Sequence, residues 1–295
     1  MNAGILMRQG RNDKPAVIFI HGLGMDMDIW VNPSNCSILG GLFPLGVLLQ
    51  NVVSNGLRSL FDDLMEREYT VIAWSQERPA DLIDMAVAEL EHVVEFARNH
   101  KTAESGIILI GHSRGGLIGR KYLLKEDKSV RALVTLSTPH HGSSLARIVR
   151  YLSPVVSAVA PLFRSEERGT LSNAVRRIRD FLKSRALKEL LPDSEFFSSL
   201  HDKPWDYVTY ISAGGTDPAL FNISGIGFPD VFEKVIPRRL CPEEIKKGMG
   251  DGMVSAESSR MPWAQEHYSF HVNHAGILYD REVRETIAKA IENIC

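Results

Sequence analysis

At 295 residues the chain exceeds a typical single domain but suits one large α/β domain carrying insertions. Hydrophobic residues at 44% and charged residues at 24% are the balance of an ordinary globular protein. A net charge of −2 offers no basic surface for nucleic acid, so no nucleic-acid partner is expected.

Three cysteines, Cys36, Cys241 and Cys295, are too few and too scattered for a disulfide framework or a zinc site. A single bridge from Cys36 to Cys241 stays open beside reduced thiols, because separation in sequence says nothing about separation in space. Residues 1–14 show no charged head followed by an apolar core, so no secretory signal is read there. A soluble, cytoplasmic protein is expected from the sequence as written, with a leader removed before the numbering left open. No run reaches the ~18 apolar residues of a membrane span.

The predicted strands, in chain order, are Ala16–Ile20, Thr70–Trp74, Gly106–Ile110, Arg131–Leu136 and Tyr207–Ser212. Most are continuous apolar runs rather than alternating ones, the pattern of strands buried on both faces of a parallel sheet. Between them, Pro79–Arg98 repeats apolar residues at Leu82, Met85, Ala86, Leu90, Val93, Val94 and Ala97 with a 3.6 period, and Pro79 suits a first helical turn. Gly115–Lys125 reads as a helix springing from the end of the third strand. Strand and helix alternate, which predicts a mostly parallel sheet flanked by helices in one α/β domain over residues 1–295.

Two stretches break the alternation and are expected to be inserted cap or lid segments. Residues 29–57 hold no charged residue, and Ile38–Leu49 is almost wholly apolar. Residues 143–200 open with the apolar Leu152–Phe163 and continue into an amphipathic helix carrying Leu171, Val175, Ile178, Leu182 and Leu190 on one face. From Ser143 to Lys188 ten Lys and Arg stand against Glu166, Glu167 and Asp180, an excess that suits transient contact with an anionic lipid surface. A solvated helix face fits the same residues.

The chemistry centres on Gly111-His112-Ser113-Arg114-Gly115. A serine at a tight strand-to-helix turn has a strained backbone and a closely approaching helix, so it needs small neighbours, here Gly111 and Gly115. Such a turn lifts the hydroxyl out of the sheet and sets the Arg114 amide at a helix N-terminus, where it can donate to an oxyanion. A second donor is expected from the loop after the first central strand, His21-Gly22-Leu23-Gly24, with the Leu23 amide the natural choice.

A serine hydroxyl also needs a base. Of ten histidines, His274 in Asn273-His274-Ala275-Gly276 lies late enough for the order serine, acid, histidine. His112 reads as structural. His21 and His140 read as structural or pocket-lining, with His140 or His141 an alternative base. Two residues compete as the acid: Asp217, ending the strand that begins near Tyr207, and Asp251, in the glycine-flanked turn Gly250-Asp251-Gly252, which the residues themselves favour.

Together these pieces resemble the bacterial triacylglycerol lipases and esterases of the α/β-hydrolase superfamily. The likeness rests on His21-Gly22-Leu23-Gly24, Gly111-His112-Ser113-Arg114-Gly115-Gly116, Ser137-Thr138-Pro139-His140-His141-Gly142-Ser143, Gly250-Asp251-Gly252-Met253-Val254-Ser255 and Asn273-His274, which span most of the chain. The Thr-Pro-His-x-Gly-Ser run is the most specific of them.

The resemblance implies an α/β-hydrolase fold, a Ser113-Asp251-His274 triad with Asp251 preferred to Asp217, and an ester or lipid substrate. It implies no cofactor. Several such lipases hold calcium through an aspartate just behind the histidine, but Ala275-Gly276-Ile277-Leu278 stands there, so no metal is expected. An acyltransferase or amidase would use the same triad, and a non-catalytic binding protein could share the fold.

Overall fold

In the computed structural model, residues 4–38, 43–44, 57–100, 104–144, 184–219, 221–223, 226–228 and 241–294 are described. Seven strands form the central sheet: β1 (Ile5–Arg8), β2 (Ala16–Ile20), β3 (Val71–Trp74), β4 (Ile107–His112), β5 (Val130–Leu136), β6 (Thr209–Gly215) and β7 (Glu266–Phe270). Their spatial order is β1-β3-β2-β4-β5-β6-β7. All neighbours run parallel except β1, which pairs antiparallel with β3 from Ile5–Trp74 to Arg8–Val71.

The continuous apolar runs are explained by two cores, one on each face. Val17 and Phe19 of β2, Ile108 and Ile110 of β4 and Val134 of β5 meet helices α1 (Leu60–Glu66) and α4 (Arg281–Glu292). The alternate residues Ile18, Ile20, Leu109 and Leu133 meet α2 (Ile83–Asn99) and α3 (Arg114–Tyr122). Each strand residue therefore loses its apolar surface to one helix layer or the other, at ~1.5–3 kcal/mol per large side chain.

β1 and β7 were not among the predicted strands. β1 is only half-buried, and β7 mixes Glu266, His267 and Ser269 with Tyr268 and Phe270 at a sheet edge. The helix expected from Pro79 begins at Ile83 instead. The backbone of the skipped residues is engaged elsewhere: the Pro79 carbonyl accepts from Gly24 N at 3.2 Å, and the Asp81 carbonyl accepts from the Arg114 guanidinium.

The described part of the first interruption is core. Ile29 and Trp30 are fully buried in the short helix Asp28–Val31, with the Trp30 ring 5.0 Å from Phe19. A short antiparallel pairing joins Ser37–Ile38 to Phe43–Pro44. In the second interruption, Arg185–Glu189 and Glu195–Ser199 are short helices whose Leu187 and Phe196, with neighbouring Leu190, join the α2/α3 core. The expected amphipathic face from Leu171 to Leu182 lies outside the described residues, as does the apolar run Leu152–Phe163. Among the described residues no helix is long and apolar enough to cross a membrane. Cys36 is a buried thiol that does not bridge to Cys241.

Candidate active site

The turn from β4 into α3 places Ser113 at φ +54°, ψ −126°, a conformation an L-residue holds only when its surroundings impose it. Three hydrogen bonds do so here. Ser113 N donates to Leu136 O at 2.8 Å, while the Ser113 carbonyl accepts from Gly116 N at 3.1 Å and from Thr138 Oγ1 at 2.9 Å. The helix comes so close that a Cβ on Gly115 would sit 2.3 Å from Ile20 O, and one on Gly111 would sit 2.4 Å from Gly116 N. Both contacts are with backbone, which cannot step aside.

Asp251 and His274 are brought together. His274 Nδ1 lies 2.9 Å from Asp251 Oδ2, and His274 N donates to Asp251 O at 2.9 Å. The other carboxylate oxygen, Oδ1, accepts from Met253 N at 3.0 Å and Val254 N at 2.8 Å, which closes the tight turn around residue 251. Burial works to raise the carboxyl's pKa, but the charge and hydrogen bond of His274 outweigh it, helped by Ser137 and the Met253 amide. The net result is a value below the ordinary carboxylate range.

Asp217 lies near the same loop, its N donating to Val272 O at 3.2 Å, but its half-buried side chain accepts from Ala219 N at 3.1 Å and caps its own turn. Ser113 and His274 are nearly buried, at 8% and 7% exposure.

His112 packs against His274. Its Nε2 lies 3.0 Å from the His274 carbonyl and its ring 4.8 Å from the His274 ring. Burial first, and the neighbouring His274 second, push its pKa down to about 3, so it stays neutral and its Nε2–H donates.

Gly22 lies against the serine, since a Cβ there would sit 3.2 Å from Ser113 Cβ. The Leu23 and Arg114 amides donate to no other group among the described residues. His21 is fully buried, with Nδ1 2.9 Å from Gly22 O and Nε2 accepting from Gln76 N at 3.0 Å.

His140 is turned into the protein. Its Nε2 lies 3.0 Å from Thr135 Oγ1, and burial holds its pKa well below the usual histidine range. Its carbonyl accepts from Arg120 Nη1 at 3.0 Å, and Arg120 forms a bidentate pair with Asp202, both nearly buried. This pair pins the Thr138–Ser143 loop, whose Ser143 Oγ also reaches Met253 O at 2.8 Å, two residues from Asp251.

Arg120→Met would strand the Asp202 carboxylate and is expected to lower the unfolding free energy by about 3–5 kcal/mol, read from urea denaturation. A loss below about 1 kcal/mol would mean that the pair behaves as a surface bridge.

Sequence reasoning passed over Thr138, Ser137 and Gln76 as site residues. The signal for Thr138 and Ser137 was their place directly after β5, at the carboxyl end of the sheet, within the run that carries the lipase resemblance.

A model of the alpha/beta hydrolase fold matches residues 63–176. Among solved structures, a Bacillus licheniformis lipase in its propeptide form superposes with a TM-score of 0.57 at 17% identity over 97% of this chain, which spans about half, 53%, of that one. The mature form of the same lipase gives 0.54 at 16% identity, covering 97% of each chain. A metagenomic carboxyl esterase gives 0.54 at 14% identity over 97% of this chain and 78% of its own. No curated protein matches significantly. A mostly parallel seven-stranded sheet with helices on both faces, matched across nearly its whole length at such low identity, establishes that this chain has the α/β-hydrolase fold.

Proposed function

We propose that the protein hydrolyses carboxylic esters of lipidic character, with Ser113 as nucleophile, His274 as base and Asp251 as the acid that orients it. The observation that carries this reading is the buried His274–Asp251 pair at 2.9 Å, set at the same end of the sheet as a strained serine heading a helix.

His274 takes the Ser113 proton on Nε2 as Oγ attacks the ester carbonyl. The tetrahedral oxyanion sits between the amides of Leu23 and Arg114, aided by the N-terminus of α3. Collapse expels the alcohol, which receives the proton from His274, and water repeats the sequence on the acyl-enzyme. Asp251 stays ionised and stabilises the imidazolium. The lipase-like Thr138–Ser143 loop supports a lipidic acyl group, and the similar structures carry the names of a lipase and a carboxyl esterase.

The test is a panel of p-nitrophenyl esters of rising acyl length beside a matched thioester and anilide, with fluorophosphonate labelling followed by peptide mapping. Ester turnover and a label on the Ser113 peptide are expected. A label elsewhere, or an anilide cleaved faster than the esters, overturns the reading in favour of another nucleophile or an amidase. Faster acyl transfer to an added alcohol than to water makes it an acyltransferase. Rates followed across the solubility limit of a short triglyceride separate the two ester readings: a rise on emulsion formation marks a lipase, and a flat profile marks an esterase.

A further inference from the structure

We infer that Gln76 and the side chain of Arg114 are positioning residues for the oxyanion hole, acting through His21 to hold both donor amides in one buried hydrogen-bond chain. The inference rests on the hydrolase reading above and adds residues to it.

The chain can be followed atom by atom. Arg114 Nη2 donates to the Asp81 carbonyl, and Nη1 donates to Gln76 Oε1 at 3.0 Å. Gln76 N donates to His21 Nε2 at 3.0 Å, which requires that nitrogen to be unprotonated. The ring proton therefore sits on Nδ1, which donates to Gly22 O at 2.9 Å. Burial drives the His21 pKa down to about 4, with the Arg114 charge adding to the effect, so this tautomer persists at neutral pH.

The last bond acts on the oxyanion hole itself. Gly22 O belongs to the peptide whose N–H is that of Leu23. In a trans peptide the two groups point in opposite directions. Tying down the carbonyl therefore sets the direction of the Leu23 amide. Withdrawing density from the carbonyl also makes that N–H a better donor. At the other end of the chain stands Arg114, whose own amide is the second donor.

The energetics argue against a purely structural origin. Arg114 is fully buried, and its Nε has no partner. Among the described residues it forms no salt bridge, although Glu189, Asp81 and Glu89 bear on its charge from farther away. Burial lowers its pKa to about 10, which still leaves it charged at neutral pH. A buried cation without a contact ion pair is less stable than an apolar residue of the same volume. That cost is offset where the bonds from its η nitrogens to Gln76 Oε1 and Asp81 O hold the segment that orients the donor amides.

The experiment compares Gln76→Met, Gln76→Glu and Arg114→Met with the parent, each rate normalised to sites titrated by fluorophosphonate. Methionine removes both the acceptor for Arg114 and the Nε2 donor that reaches His21 O at 3.3 Å, whereas glutamate keeps the acceptor and gives up only the donor. Gln76→Met and Arg114→Met are expected to lower kcat about 10- to 100-fold with KM little changed, the range set by losing or misplacing one donor. Affinity for a trifluoromethyl ketone, whose serine adduct places an oxyanion in the hole, should fall by the same factor. Affinity for the matching unreactive ether should not change. Gln76→Glu, which keeps the Arg114 acceptor, should lose less kcat than Gln76→Met.

Unchanged kcat per titrated site in Gln76→Met, an equal loss in Gln76→Glu, or equal weakening of ketone and ether overturns the inference. Should Arg114→Met fail to fold, the two Gln76 variants decide. If Ser113→Ala keeps full turnover, the catalytic reading itself has failed, which is a separate result.

Discussion

Ser113→Ala is expected to remove about 10⁶-fold of kcat on a p-nitrophenyl ester, leaving about 10³–10⁴-fold over water from substrate binding and the oxyanion donors. The size follows from the proposed role: without Oγ no acyl-enzyme would form, and His274 would have no proton to take. The turn should survive. It is held at Ser113 by backbone bonds to Leu136, Gly116 and Thr138, and the hydroxyl makes none of them. Alanine meets the same positive φ as serine, so an unchanged thermal midpoint beside lost turnover is the expected pair of readings. Retained turnover would sink the assignment.

Asp251→Asn should cost about 10⁴-fold in kcat, the effect of fixing the wrong tautomer of the base. The direction can be derived from the bonds. Met253 N and Val254 N both donate to Oδ1, so an asparagine must keep its carbonyl oxygen there. Its NH₂ then faces His274 Nδ1, which can only accept. The ring proton is driven to Nε2, where His274 no longer serves as a base.

Asp217→Asn is the control. Its side-chain oxygen would still accept from Ala219 N, and activity should stay at the parental level. A larger loss there than at residue 251 would exchange the two roles.

The lowered pKa of Asp251 carries a stability consequence as well. A carboxyl held below its unfolded value of 3.8 contributes stability above that pH, and the contribution is lost as pH falls through the lower folded value. The pair with His274 should therefore survive mild acid and fail only below the ordinary carboxylate range.

Much of this was legible in the chain. Five of the seven strands were predicted, because strands buried on two faces leave unbroken apolar runs such as Ile107–Ile110. The serine turn was legible because Gly111 and Gly115 are demanded by backbone contacts that no side chain could share. β1 and β7 escaped because an edge strand is covered on fewer sides and tolerates polar residues. Pro79 misled because the stretch before α2 serves Gly24 and Arg114 with its carbonyls rather than starting a helix.

The serine itself, its order before a late histidine, and the glycine loop ahead of both were determined by sequence, since each is a local demand on residue type. The glycine-flanked turn already favoured Asp251 over Asp217 in sequence, but the contacts themselves come from the tertiary structure. That Asp251 and not Asp217 reaches His274 depends on where two loops from different strands converge. That His21, Gln76 and Arg114 form one buried chain depends on three segments meeting at the carboxyl end of the sheet. Contacts between residues 55 and 38 positions apart leave no periodic or compositional trace, because nothing in the local chain requires them until the sheet has brought the segments together.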